Sequence, residues 1–160
     1  MPDRDRLNAC PNLSLRGYTG VRDEPELLVF VVEAFAQEPR QVETGNARAD
    51  EVLGQVRPIE TAPDSLVFRL TFENFVAVEI VNESYAWLEK QEPFDKKLRQ
   101  HSNSSLLDRI RSKSHYDQVW PDHPLKHYAI VTLNHVINVI GPNEPRVTIE
   151  GKLADITAKS

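Results

Sequence analysis

The chain has 160 residues, a formal net charge of −5 and one cysteine, Cys10. The negative charge disfavours nonspecific binding to nucleic acid, because such binding relies on lysine and arginine side chains that neutralise phosphates. The single cysteine excludes an internal disulfide, so we expect a cytoplasmic protein. The longest apolar run, Leu27 to Val32, is too short for a membrane span, so we expect no membrane segment.

The N-terminal part of the chain combines a polar terminus with one ambiguous apolar run. Residues 1–11 are polar and charged, which predicts a mobile tail. Asp23 to Glu26 has the pattern of a helix start, with an N-cap residue and a proline in the first turn, so we predict a helix over 27–37. A strand is the alternative, because this run is apolar on all sides and rich in valine.

Two β-strands are predicted in the middle of the chain. Apolar and polar residues alternate from Leu66 to Glu73, which is typical of a strand with one buried face. A second strand is predicted from Phe75 to Tyr85, and we expect the two strands to pair with each other. Glu79 and Glu83 share one face of the second strand, which is either exposed to solvent or forms the wall of a polar cleft.

A charged connection and a short helix follow. Residues 89–101 are charged and contain a proline, which predicts a connection with a helical turn near 95–99. Ser104 and Ser105 are favourable N-cap residues, and the leucines after them form an apolar stripe. We therefore predict a helix that packs one face on the sheet.

The strongest pattern is a β-hairpin over residues 125–140. Two runs rich in valine and isoleucine flank Asn134 and His135, and asparagine accepts the positive φ of a tight hairpin turn. The first run is apolar on both faces, so we place it inside a sheet. The elements together predict an α+β fold, with an antiparallel sheet of about five strands and two or three helices packed on it. We expect one domain, residues 1–160, with a second mobile tail over 152–160.

All five histidines lie between His101 and His135, a clustering that raises the question of a metal site. His123 and His127 have the spacing of a helical zinc motif, but Pro124 between them is wrong for that geometry. A site made of His127, His135 and a carboxylate such as Glu79 or Glu83 has no supporting motif, and no phosphate-binding glycine loop occurs. We predict no metal and no cofactor.

A small-molecule pocket is the alternative use of these polar residues. A histidine facing a glutamate across adjacent strands is within reach of acid–base chemistry, and an arginine can hold an anionic group. Large aromatic residues flank the same region and suit either a pocket wall, a subunit contact or packing of the core. These aromatic residues are Tyr85, Trp87, Phe94, Tyr116, Trp120 and Tyr128. The candidate pocket residues are Glu79, Glu83, Tyr85, Arg99, His101, His127 and Tyr128.

Four short segments between residues 82 and 145 form a recognisable pattern: Asn82-Glu83-Ser84-Tyr85, Ser105-Leu106-Leu107, His127-Tyr128 to Leu133-Asn134-His135, and Glu144-Pro145. The pattern resembles uncharacterised small bacterial proteins of the kind encoded by mobile integron gene cassettes. The resemblance covers residues 65–147 and includes no motif of a known catalytic activity. It implies a stand-alone bacterial cytoplasmic domain that self-associates and has an accessory role.

Three functions are compatible with these observations. The first is a non-enzymatic accessory module that binds a small molecule or a protein partner and forms a homo-oligomer, most simply a dimer. The second is an enzyme that uses an acid–base or metal site of Glu and His near the hairpin. The third is an immunity-type protein that neutralises a toxin through an acidic face with Glu79 and Glu83. The acidic charge, the clustered aromatic residues and the absence of catalytic motifs favour the first function.

Overall fold

Antiparallel sheets and short helices make up the part of the chain that the computed structural model describes, which is residues 1–21, 23–86, 96–101 and 103–158. The strands are β1 (Asn12–Gly20), β2 (Glu26–Ala36), β3 (Arg40–Gln41), β4 (Gln55–Val56), β5 (Ile59–Glu60), β6 (Leu66–Glu73), β7 (Ala77–Asn82), β8 (Leu98–His101), β9 (Lys126–Val131), β10 (His135–Gly141) and β11 (Arg146–Lys152). The helices are α1 (Asp3–Asn8), α2 (Ala47–Leu53), α3 (Ser105–Lys113), α4 (Tyr116–Val119) and α5 (Leu153–Thr157), with a 3-10 helix at Glu83–Tyr85. None of the described helices is long and apolar enough to cross a membrane.

Two sheets face each other across the main hydrophobic core. The first sheet has the strand order β1-β2-β6-β11, with β5 also paired to β2, and the second has the order β7-β10-β9-β8. Both sheets contribute side chains to one buried cluster, in which the rings of Phe72 and Tyr128 lie 6.2 Å apart. The predicted α+β class with a five-stranded antiparallel sheet is therefore confirmed, and a second sheet of four strands is added to it.

The helix preferred over residues 27–37 is wrong and the strand given as its alternative is confirmed, because this run forms the central strand β2. β2 pairs with β1 on one side and with β6 on the other, and Leu27, Val29 and Val31 are buried in the core between the sheets. On the opposite face of β2, Leu28 and Phe30 are only half-buried but are also apolar, so the run is apolar on all sides, which is the pattern a buried helix also has. The residues that looked like a helix start form a turn instead, with Asp23 at a φ of 62°.

The predicted pairing between the two middle strands is also wrong. β6 pairs with β2 and β11 in the first sheet, whereas β7 pairs with β10 in the second. Asn74 has a φ of 57°, in the left-handed region that asparagine tolerates, and the chain crosses from one sheet to the other at this turn. Alternation of apolar residues identified the strand but carried no information about its partner.

The predicted hairpin is confirmed, and its turn differs from the prediction. β9 and β10 pair from Val131–Val136 to Lys126–Gly141, and β9 lies in the interior of its sheet between β10 and β8. The expected positive φ at Asn134 is wrong, since its backbone is outside the left-handed region. Thr132 closes a wider turn instead, because its hydroxyl donates to the His135 carbonyl at 2.8 Å and accepts the His135 amide at 3.2 Å.

Both segments predicted as mobile tails contain helices. α1 packs Leu7 into the main core, and Cys10 just after the helix is buried beside it. Arg6 of α1 donates to the buried Glu33 carboxylate at 2.7 Å, which anchors the helix to β2. Burial raises the pKa of the Cys10 thiol to about 12, so this thiol stays protonated. At the other terminus, α5 is tied to the chain by the Leu153 amide, which donates to the Ser65 carbonyl at 2.9 Å.

α3 forms where the sequence predicted it, on the outer face of the second sheet. Ser104 is its N-cap and accepts the Leu107 amide at 3.1 Å. Leu107 packs with Leu125 and Ile140 in a second, smaller buried cluster beneath the helix. The helical turn predicted near 95–99 is wrong over its described residues, because Leu98–His101 forms the strand β8; residue 95 lies outside the described residues.

Candidate functional site

The outer face of the second sheet carries polar side chains in two adjacent rows across its strands. One row is Ala77, Ile140, His127 and His101, and the next is Glu79, Asn138, Ala129 and Arg99. Side chains alternate between the two faces of a strand, so all of these residues point away from the main core and toward α3. The polar groups are concentrated on β8 and around the centre of the sheet.

A cavity of about 120 Å³ lies between this face and the start of α3. Ala129 is 1 % exposed and sits between Asn138 and Arg99 in the second row, where its short side chain leaves space that a larger residue would fill. We call this space the Ala129 cavity. Its lining consists of Glu79, Val81, Ala86, Arg99, His101, Ser104, Ser105, Leu106, His127, Ala129, Val131, Val136 and Asn138.

His127 joins the helix to the sheet through hydrogen bonds at both ring nitrogens. Nδ1 lies 2.6 Å from Ser104 Oγ, and Nε2 lies 2.9 Å from Asn138 Oδ1. An amide oxygen only accepts, so Nε2 carries the proton and Nδ1 accepts the Ser104 hydroxyl proton. Ser104 Oγ then accepts the Leu107 amide at the same time. Asn138, His127, Ser104 and the start of α3 form one continuous hydrogen-bonded chain.

His101 lies directly opposite His127 on the neighbouring strand. The two imidazole rings are stacked, with centroids 4.3 Å apart and an interplanar angle of 16°. Both side chains are buried, at 8 % exposure for His101 and 4 % for His127. The two rings therefore form one stacked pair at the wall of the cavity.

The charged residues of the site differ in burial. Arg99 is 7 % exposed and its Nε donates to the Lys96 carbonyl at 2.9 Å, which orients the guanidinium at the cavity wall. Glu79 lies at the rim, where Arg109 of α3 donates to its carboxylate at 2.6 Å. Both partners of this ion pair are about half exposed, at 40 % and 54 % of their side chains. The carboxylate is therefore matched by a cation on the helix.

The structure brings together four of the seven residues predicted for the pocket. Glu79, Arg99, His101 and His127 all line the Ala129 cavity. Tyr128 follows His127 in the strand and points to the opposite face, where it is fully buried in the main core and burial raises its pKa. Glu83 and Tyr85 lie in the exposed 3-10 helix and are outside the lining.

The other predicted aromatic and metal-site residues lie elsewhere. Trp87 and Phe94 are outside the described residues. His135 begins β10 in the alternation that faces the first sheet, so it does not share a face with His127. Among the described residues, no group of three or more His, Cys, Asp or Glu side chains is placed to hold a metal ion.

Three residues that matter to the site were not predicted as part of it. Ser104 was expected only as a helix cap, and its contact with His127 depends on how the helix packs. Asn138 had a signal in the sequence, because a polar residue between the β-branched pairs of β10 requires a buried partner. Ala129 had none, since an alanine in an apolar strand does not reveal what lies opposite.

The chain of Ser, His and Asn invites comparison with a nucleophilic triad, and its details differ from one in two ways. Ser104 Oγ accepts a helix amide, which withdraws electron density from the hydroxyl that would attack a substrate. Asn138 is neutral and cannot stabilise an imidazolium as a carboxylate does. The arrangement holds His127 in one tautomer and one orientation.

The comparisons with known proteins add no further identification. Neither protein-family models nor curated proteins match the sequence, and no solved structure matches the fold.

Proposed function

We propose that this protein is a non-enzymatic module that binds a small anionic ligand in the Ala129 cavity. The observation that carries the proposal is the lining itself. Arg99 is a buried cation, and it borders one partly open cavity together with the buried imidazole rings of His101 and His127. The carboxylate at the rim, Glu79, is bonded to Arg109. A negative group in the cavity would therefore lie beside the guanidinium of Arg99 on β8.

The size of the cavity restricts the ligand. Sites for drug-sized molecules have volumes of roughly 300–1,000 Å³. The Ala129 cavity, at about 120 Å³, is smaller. It suits phosphate, sulfate or the carboxylate end of a short organic acid. The N-terminus of α3 borders the same space through Ser104 and Ser105, and helix N-termini favour negative charge.

Thermal unfolding in the presence of single anions tests this function. The probes are phosphate, sulfate, acetate and succinate, each at matched ionic strength, with chloride as the reference. An anion at a hundred times its dissociation constant should stabilise the protein by about 2.7 kcal/mol. Equal melting temperatures in all these salts would contradict the proposal.

Two variants localise the binding. Ala129→Val adds two methyl groups to the cavity floor and should remove the anion-dependent stabilisation, with the fold kept because valine favours strands. Arg99→Met keeps most of the apolar stem and removes the charge, and it should weaken binding. Arg146→Met is the matched control, since Arg146 is exposed on β11 of the first sheet and lies outside the lining. Stabilisation that survives Ala129→Val would place the anion elsewhere.

Self-association is a second part of the proposal, and the segment around α2 supports it. α2 has no buried residue, and apolar side chains stand in solvent along it and the strands after it: Val52 at 81 %, Leu53 at 53 %, Val56 at 41 % and Ile59 at 41 % exposure. A two-fold axis through this surface would bring identical apolar patches of two copies together. Light scattering should give a dimer at micromolar concentration, and Val52→Lys should give a monomer. A wild-type protein that is monomeric would contradict this part.

The two alternative functions have weaker support. An enzyme at the cavity would need His127 to give up one of its hydrogen bonds during proton transfer. A toxin-neutralising acidic face would use Glu79 and Glu83, but Glu79 is paired with Arg109, which reduces the negative charge of that surface.

A further inference from the structure

A second pocket lies at the other end of α3, where three separate chain segments meet. Its lining is Asn74, Tyr116, Trp120, His123, Pro142 and Asn143, and we call it the Trp120 pocket. These residues come from the turn after β6, from α4 with the loop that follows it, and from the turn after β10. The volume is about 270 Å³, which is just below the range of ordinary small-molecule sites. The pocket therefore has room for one small ring.

The backbone around the pocket is held by hydrogen bonds and prolines. The Trp120 amide donates to the Tyr116 carbonyl at 2.9 Å, and the His123 amide donates to the Trp120 carbonyl at 3.2 Å. Pro121 and Pro124 restrict the same loop. On the other side, a Cβ at Gly141 would lie 3.4 Å from Phe75 Cα, so the two turns that carry Asn74 and Asn143 pack closely. The backbone that carries the lining is thus held in place by local contacts.

The Trp120 side chain is exposed although hydrogen bonds hold the backbone around it. Its exposed fraction is 55 %. Exposure of the large apolar surface of an indole to water is unfavourable, in proportion to the exposed area. The His123 ring meets it edge to face, with centroids 6.2 Å apart and an angle of 65°. Tyr116 packs on the buried cluster beneath α3. The indole is therefore supported from the side and leaves the rest of its surface available to a ligand.

The polar groups of the lining are neutral amides, an imidazole and a phenol. Within the part of the chain that the structure describes, no hydrogen bond occupies the side chains of Asn74, Asn143 or His123. Amides supply both donors and acceptors at fixed angles, which matches the hydroxyl groups of a sugar. The described lining holds no lysine or arginine for the phosphate of a nucleotide. An aromatic face with neutral amides around it is suited to a pyranose ring, whose C–H face packs on the indole.

We propose that the Trp120 pocket binds a neutral monosaccharide unit, with its ring packed on Trp120 and its hydroxyl groups bonded to Asn74, His123 and Asn143. This site is separate from the Ala129 cavity in its residues and in the charge of its ligand. The two sites are independent, so failure of one proposal leaves the other intact.

Saturation-transfer NMR on the full chain tests the proposal. The probes are the methyl glycosides of glucose, galactose, mannose and N-acetylglucosamine, with adenosine as a stacking competitor that lacks phosphate. A single sugar ring in a preorganised site should bind with a dissociation constant on the order of 1 mM. At least one glycoside should receive magnetisation from the protein. No transfer to any glycoside, or transfer to adenosine alone, would overturn the proposal.

Substitutions in and beside the pocket assign the signal. Trp120→Ala should weaken the bound glycoside by about tenfold or more, because it removes the packing face. Trp120→Phe keeps an aromatic ring and should retain part of the affinity. It tests the same contact if the alanine variant fails to fold. Asn143→Ala should weaken binding as well. Val119→Ala is the control, since Val119 is 63 % exposed on α4 and outside the lining. Binding that is unchanged in both Trp120 variants would overturn the proposal.

Discussion

The two faces of the β9–β10 hairpin are both buried, and they differ in what covers them. The inner face packs Tyr128, Ile130 and Ile137 against the large side chains of the first sheet. Among the described residues, the outer face is covered mainly by α3, and it combines the small Ala129 with the hydrogen-bonded His127. A sheet fills the inner face with apolar volume, whereas a nine-residue helix leaves a cavity and admits polar groups. Stability is therefore expected to reside mainly on the inner face and ligand binding on the outer face.

Paired truncations on the two faces should show the largest difference. Ile130 is fully buried in the main core, so Ile130→Ala should lower the free energy of unfolding by about 2–5 kcal/mol through lost transfer energy and a new cavity. Val131→Ala, next in the strand, should cost less because Val131 is only half-buried and already borders a cavity. Urea denaturation of both variants measures the difference. Equal losses would mean that the outer face is packed as densely as the inner one.

Local signals account for the parts of the fold that the sequence predicted. The N-cap at Ser104, the alternation in β6 and the valine-rich runs of the hairpin each depend on residues close in the chain. The strand β2 was missed because its half-buried face also carries apolar residues, Leu28 and Phe30, so apolar and polar residues do not alternate along it. In addition, residues 23–26 form a turn with the same residue types that begin a helix. The assignment of β6 and β7 to different sheets depends on long-range packing and left no local trace.

The candidate site likewise has parts that local sequence patterns could place and parts that depend on long-range packing. Neighbouring residues in a strand point to opposite faces, so His127 and Tyr128 could have been separated from the alternation of β9 alone. Arg99 and His101 are two positions apart, so they share a face once β8 is known to be a strand. The stacking of His101 on His127 depends on the register between β8 and β9, which the sequence does not encode locally.

Removal of the helix cap should have an intermediate effect and should test whether α3 depends on the outer face. Ser104→Ala removes the acceptor of the Leu107 amide and the partner of His127 Nδ1. The expected loss is about 1–3 kcal/mol, because a cap is worth roughly 1 kcal/mol and an unpaired buried polar group adds to it. Urea denaturation gives the value, and Ser112→Ala, at an exposed position of the same helix, should change it by less than about 0.5 kcal/mol. A negligible loss in Ser104→Ala would mean that packing alone positions the helix.

The smallest effect is expected at the rim of the outer face, in the ion pair of Glu79 and Arg109. The atoms are 2.6 Å apart, but both side chains are about half exposed, so water and salt screen the attraction. Arg109→Ala should lower the free energy of unfolding by less than about 1 kcal/mol, and the loss should shrink as salt is raised. Arg40→Ala is a matched control, because Arg40 forms a similarly exposed pair with Glu60 at 3.0 Å and neither residue lines the cavity. A loss in Arg109→Ala that is several times the control and independent of salt would mean that the rim contributes to stability as the inner face does.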